Sequence, residues 1–367
     1  MSSHDCSLSG GRRHWNRPLL LVPLLLVVSA LWVLAPVVWR QWSDEAWMLE
    51  YEQRLQRVLQ QPLPVVEGPP VLHWPGVRAL QLSLADAGTI NLLELLGIRD
   101  CELAEALGRH NSSLGRVAGA SEQWRQAAEF IRLAPACITH LQLQNPQLAQ
   151  RLQQALDIKQ QQRLAYWWNA WLAGPEWQAA ASLSVPVLSR EESRRGHLAV
   201  TLMTLDEAWG QQQRWLHGDW HDDGRLNGLL QDLLQGESIG RWLVTQAQLT
   251  LSLERINGLL AQQQTEICPR GHKTPQGEIL QNVMLQFYIG QLQPYLSATD
   301  RFGAALLERL DSLWPVAAGP APEDWLQWLA AAHQQRQRLL AASREHVQRM
   351  TAILGRCELA PGIRPPA

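Results

Sequence analysis

From Pro18 to Trp39 the chain reads PLLLVPLLLVVSALWVLAPVVW, 22 residues without one charged side chain. A helix on the surface of a globular body keeps a polar face, and this stretch has none to offer. At ~1.5 Å rise per residue it can cross a hydrocarbon core about 30 Å thick. Arg12, Arg13 and Arg17 precede it, whereas Asp44 and Glu45 follow soon after Arg40. The arginine excess predicts a cytoplasmic N-terminus and an export-side location for residues 40–367. A cleaved signal peptide has a shorter apolar core and a small-x-small cleavage site, but this run ends in Pro36, Val37, Val38 and Trp39, so an uncleaved anchor is expected. Trp39 and Trp42 stand where an aromatic belt would lie.

The 367 residues hold 46% hydrophobic side chains, enough beyond the anchor for one large domain or two small ones. Net charge is −2 with the two signs interspersed, and no basic stripe of the density a nucleic-acid footprint needs is present. Of the 32 basic residues 30 are Arg, and the aromatic content is dominated by 18 Trp. Cys6 precedes the predicted span, which leaves Cys101, Cys137, Cys268 and Cys357 beyond it. Four cysteines allow three pairings, and the expected one joins nearest neighbours, Cys101 with Cys137 and Cys268 with Cys357. Reduced core thiols are the alternative if the orientation is reversed.

Apolar residues three or four apart predict helices through most of the chain. Trp47, Tyr51, Leu55 and Val58 form a juxtamembrane stripe that Pro62 and Pro64 end. Helical spacing then covers about 89–97, 100–110, 121–134 and 146–172. Leu80, Leu82 and Leu84 alternate as in a short strand, and a small β-hairpin is expected around Val185–Leu188 and Leu198–Met203. Thr204 with Glu207 reads as a capping box, and Thr274 followed by Pro275 as a helix start with an end at Pro294. The last helix runs from Pro322 to Gly355. The expected fold is mainly α, a transmembrane helix followed by a helical bundle with a small hairpin. Its parts are a cytoplasmic segment 1–17, the anchor 18–39, a juxtamembrane helix and linker 40–77, an export-side domain 78–357 and a tail 358–367.

The strings LLGIRDCELAEALGRHNSSLGR and CPRGHKTPQGEILQNVMLQFYIGQLQPYL carry a resemblance. With Cys101, the run Asn111 to Gly115, Cys137, Cys268, Thr274, the run Gln293 to Leu296 and Cys357, the chain resembles a family of uncharacterised proteobacterial envelope proteins, a domain of unknown function. The resemblance implies an exported or lipid-anchored protein and no known activity. Cys6 follows SSHD without an apolar run, so it is no lipobox cysteine, and the span at 18–39 would replace the lipid.

Three groups of residues could carry chemistry. His217, Asp219, His221 and Asp223 resemble a metal cluster, but Leu230 stands where a calcium loop needs a bidentate Glu, and Gly218 breaks the helix that would align two zinc-binding imidazoles. An interhelical turn is expected there instead. Arg109, His110, Asn111, Ser112, Ser113 and Arg116 surround hydroxyls and backbone N–H groups suited to an anion, although Asn111 as a left-handed helix end with capping serines explains the same run. Neither serine sits in a nucleophile motif. Tyr166, Trp167, Trp168, Trp171 and Trp177 could present indole faces to a glycan or lipid, with core filling as the plainer reading. His272 beside Cys268 is a weak metal pair. No cofactor, metal site or catalytic motif emerges. The expected role is a noncatalytic binding module of the cell envelope, held at the inner membrane through 18–39 and meeting an envelope protein or glycan. The alternative is a hydrolase or transferase acting on an envelope polymer.

Overall fold

The computed structural model describes residues 48–359 apart from 89–90, 113–117, 193–196, 222, 263–266 and 316–317. The expected cytoplasmic segment and the span at 18–39 lie outside these residues. Backbone contacts divide the chain into residues 1–47 and 48–367, and all described residues belong to the second unit. Among them, none of the helices is long and apolar enough to cross a membrane.

Helix α1 occupies 48–59 and buries Tyr51 and Leu55 of the expected stripe, with Leu59 buried where Val58 was expected; Val58 is half-buried and Trp47 lies outside the described residues. Short helices α2 (Val77–Leu80), α3 (Leu92–Gly97) and α4 (Glu102–His110) lead to α5 (Ala120–Gln144), against which α4, α6 (Pro146–Gln161) and α7 (Arg163–Trp171) all pack. Asn91 starts α3 with a capping box, its side chain accepting from the Glu94 N–H while the Glu94 carboxylate accepts from the Asn91 N–H. After α8 (Pro175–Ala180) come α9 (His197–Leu216), α10 (Arg225–Gly236) and α11 (Ser238–Ala261). The chain then runs through α12 (Pro275–Val283), a π-helical segment Met284–Leu292, α13 (Gln293–Ser312) and α14 (Glu323–Arg356), with α11 and α14 the most extensively packed pair.

Helix α11 is covered on nearly every side, burying polar Thr245, Gln246, Thr250 and Asn257 as well as Trp242, Leu249, Leu253 and Ile256. Close approach requires small residues around it. A Cβ on Gly303 of α13 would meet the Trp242 indole, and one on Gly240 would meet the Ser182 carbonyl.

The expected hairpin is absent: no strand occurs among the described residues, and Leu198–Met203 lies in α9. Residues 185–188 form neither helix nor strand, and side chains take the place of a partner strand. The Leu188 N–H donates to Thr245 Oγ1 at 2.8 Å, the Tyr295 hydroxyl donates to the Leu188 carbonyl at 2.5 Å, and Arg241 Nη2 donates to the Val187 carbonyl at 2.9 Å. Arg241 also grips Glu192 at 2.6 and 2.7 Å. Burial pushes the Glu192 carboxyl up, but the Arg241 and Ser189 donors outweigh it and hold its pKa at about 2. Residues 80–84 are likewise no strand. The Leu82 N–H and carbonyl pair with the Asn169 side chain, both at 2.8 Å, and the Trp168 indole donates to the Leu80 carbonyl at 2.7 Å.

Thr204 is no cap, because α9 begins at His197; its hydroxyl donates to the Val200 carbonyl at 3.0 Å. Thr274 does cap α12, accepting from the Gly277 N–H at 3.1 Å. Pro294 ends nothing, since the π segment feeds directly into α13. There the Gln293 N–H reaches the Tyr288 carbonyl, five residues back, and this wide turn accommodates the proline that follows.

The structure pairs Cys101 with Cys137 and Cys268 with Cys357 at disulfide distance, the Cα atoms 5.5 and 5.2 Å apart. The first pair ties the N-cap of α4 to α5. The second ties the turn before α12 to the C-cap of α14.

Candidate functional site

A cleft of about 540 Å³ opens where the extended segment before α3 passes over the end of α4 and the bodies of α5, α6 and α7. Its apolar lining includes Leu84, Leu107, Phe130, Leu148, Leu152 and Ile158; its polar groups are Asp86, His110, Asn111, Gln123, Gln126, Arg151, Gln154, Lys159 and Tyr166. Asp86 holds the turn at the rim, accepting from the Gly88 N–H at 2.8 Å, and Gly88 supplies the positive φ of 82° that this turn demands. The size lies within the roughly 300–1,000 Å³ range of small-molecule sites.

Lys159 gives the cleft its chemistry. The half-buried ammonium lies 5.4 Å from the ring centroids of both Phe130 and Tyr166, and donates to the Tyr166 hydroxyl at 3.3 Å. Among the described residues no carboxylate forms a salt bridge with it. Burial pulls its pKa below the ordinary lysine value, with the Asp86 charge pulling the other way. The other cation in the lining, Arg151, is engaged by Glu94 of α3. Burial lowers the His110 pKa, partly offset by Glu129, whose carboxylate lies 3.3 Å from Nε2. Burial raises that of Tyr166.

The residues expected to hold an anion divide here. His110 and Asn111 line the cleft. Arg109 turns away to Glu105 at 2.8 Å and Glu129 at 2.6 Å, so its charge is already matched. Asn111 is right-handed at φ −79°, not the left-handed end expected of it, and the Ser112 hydroxyl closes α4 by donating to the Arg109 carbonyl at 2.7 Å. Ser113 and Arg116 lie outside the described residues. The sequence reading missed Lys159, whose signal was available: it is one of two lysines in a chain that otherwise uses arginine.

The other expectations resolve plainly. Around His217 the chain forms a turn, with His221 Nδ1 3.1 Å from Asp219 and Asp223 accepting from the Arg225 N–H at 2.9 Å as α10 begins. Trp167, Trp168, Trp171 and Trp177 are buried, so they fill the core and offer no indole face to solvent, while Tyr166, also buried, lines the cleft beside Lys159.

A second polar cluster lies under α14. Fully buried His346 shares a hydrogen bond of 2.7 Å between Nε2 and the Tyr51 hydroxyl, while its Nδ1 has no partner among the described residues. Tyr288 packs its ring 4.5 Å from the imidazole and places its hydroxyl 3.0 Å from Ser343 Oγ. Burial drives the His346 pKa down to about 3. The unfolded chain, with an ordinary value near 6.5, binds this proton first, so stability is whole above about pH 6.5 and falls as pH drops toward 3. Between pH 7 and pH 5 the loss from this group is about 2 kcal/mol. His346→Gln should flatten that acid limb when unfolding midpoints are measured across this range; an unchanged slope would place the acid sensitivity elsewhere.

A bundle of long helices with two cysteine cross-links and a partly apolar, cation-bearing cleft lined from α4 to α7 defines an α-helical protein. Residues 48–361 match the family described as protein of unknown function (DUF3080), and the chain belongs to that family. No curated protein and no solved structure matches it.

Proposed function

We propose that this chain is a single-pass envelope protein, anchored at the inner membrane by residues 18–39, whose export-side helical body acts as a noncatalytic binding module for an envelope component bearing a carboxylate. The observation that carries the binding part is the Lys159 ammonium, held between two aromatic rings in a cleft of ligand size, with the Asp86 charge acting on it but no carboxylate in salt-bridge contact among the described residues. A carboxylate entering the cleft would supply that contact in a charge-assisted hydrogen bond, worth roughly 1.5–3 kcal/mol. Gln123, Gln126 and Gln154 would offer amides to a peptide or sugar backbone, and the apolar lining would take its body. The anchor rests on the uncharged stretch and the arginines before it, and the cysteine pairing suits an oxidising compartment.

Calorimetric titration of the full chain in lipid nanodiscs with carboxylate-bearing cell-wall fragments tests the reading. Lys159→Met keeps the stem packed and removes the charge, so affinity should fall roughly 10- to 100-fold, while Lys273→Met should bind as the parent does. Equal affinity of Lys159→Met would remove the cleft as the site. Turnover of the fragments by the parent chain would favour the hydrolase or transferase alternative. A reporter fused after Ala367 that is active only in the cytoplasm would overturn the topology.

A further inference from the structure

The wall of a second cavity, about 420 Å³, is formed by the π segment and α13 on one side and α14 on the other. Its floor is apolar: Tyr288, Leu296 and Leu339 are buried, and Leu340 and Val347 continue the surface outward, Val347 remaining 38% exposed. Two charged side chains stand in the lining. Asp300 is already engaged, accepting from Arg336 Nε at 2.7 Å. Arg344 has no carboxylate partner among the described residues.

An apolar floor with one guanidinium that has no carboxylate partner among the described residues asks for a ligand with an apolar tail and a single anionic head. A guanidinium binds a carboxylate through two parallel N–H···O bonds, which fits one head group to one arginine. The helix at this wall is π-helical over Met284–Leu292, a rare conformation that is frequent at functional sites. Tyr51 of α1 packs against Tyr288 and Phe287 of the same segment, and α1 is the helix that follows the proposed span in the chain. We infer that this groove binds one long-chain fatty carboxylate, its head on Arg344 and its tail along Leu296, Leu339 and Leu340.

The full chain in lipid nanodiscs, photolysed with a long-chain fatty acid carrying a mid-chain diazirine, should give adducts in the peptides holding residues 284–300 and 339–348. Arg344→Glu, a change at an exposed position, should cut this labelling at least tenfold, and Leu340→Trp should suppress it by filling the groove. A matching diazirine alkane without the carboxylate should label it weakly. Adducts confined to residues 18–39, labelling indifferent to both substitutions, or equal labelling by the alkane would each overturn the inference. Lys159→Met should label as the parent does, because the groove and the Lys159 cleft are separate sites; failure of one leaves the other standing.

Discussion

Replacing Cys268 and Cys357 together by alanine should lower the unfolding free energy by about 4 to 5 kcal/mol. The bridge closes a sequence separation of 89 residues, and the loop entropy it removes from the unfolded chain grows with the logarithm of that length. Alanine suits the test better than serine. Both sulfurs are buried, Cys268 at 2% and Cys357 at 1% exposure, and a hydroxyl there would add its own desolvation cost. The Cys101–Cys137 bridge, separated by 36 residues, should matter somewhat less, at about 3 to 4 kcal/mol. Gly277 supplies an internal control. A Cβ there would lie 2.9 Å from Cys268 Sγ and 3.3 Å from Cys357 Sγ, so Gly277→Ala should destabilise the parent more than the double-alanine chain. Denaturant midpoints with and without reductant measure both effects. A double-alanine chain that unfolds with the parent would mean that the bridge does not form.

Helix positions were legible because burial in a bundle imposes a period of three to four residues on whatever side chains serve it. Tyr51, Leu55 and Leu59, or Trp325, Trp328, Leu329 and Ala332, are buried in register with that period. The extended segments were misread for a definable reason. Alternation of Leu80, Leu82 and Leu84 and the apolar run at 185–188 suggest strands, but neither pattern says what satisfies the backbone hydrogen bonds. Here the partners are Asn169 on α7, Thr245 and Arg241 on α11, and Tyr295 on α13, all far away in sequence. Pro294 misled in the same way: its missing N–H stops an ordinary helix, and only the preceding π turn removes the conflict. For the cleft, His110 and Asn111 were found from local composition. Lys159 and Tyr166, on the consecutive helices α6 and α7, reach the end of α4 only because both helices pack on α5, and the rarity of lysine was the one sequence clue to the first.

The tryptophans give the remaining large effect, and they divide by what their indole N–H does. Trp177 is fully buried, stacked on Trp74 with centroids 4.5 Å apart and edge-on to Trp171 at 5.7 Å. Its N–H has no acceptor among the described residues. Trp177→Ala should therefore cost about 3 to 5 kcal/mol, all of it lost apolar contact and cavity. Trp177→Phe forfeits no hydrogen bond and should cost far less. Trp168 is as deeply buried, but its N–H donates to the Leu80 carbonyl at 2.7 Å. Trp168→Phe leaves that carbonyl unpaired, which adds about 1 to 3 kcal/mol to the volume loss. The segment it holds runs on to Asp86 at the rim of the Lys159 cleft, so Trp168→Phe should also weaken ligand binding there, whereas Trp177→Phe should not. Equal costs for the two phenylalanine substitutions, read from denaturation midpoints, would mean that packing alone orders this corner of the fold.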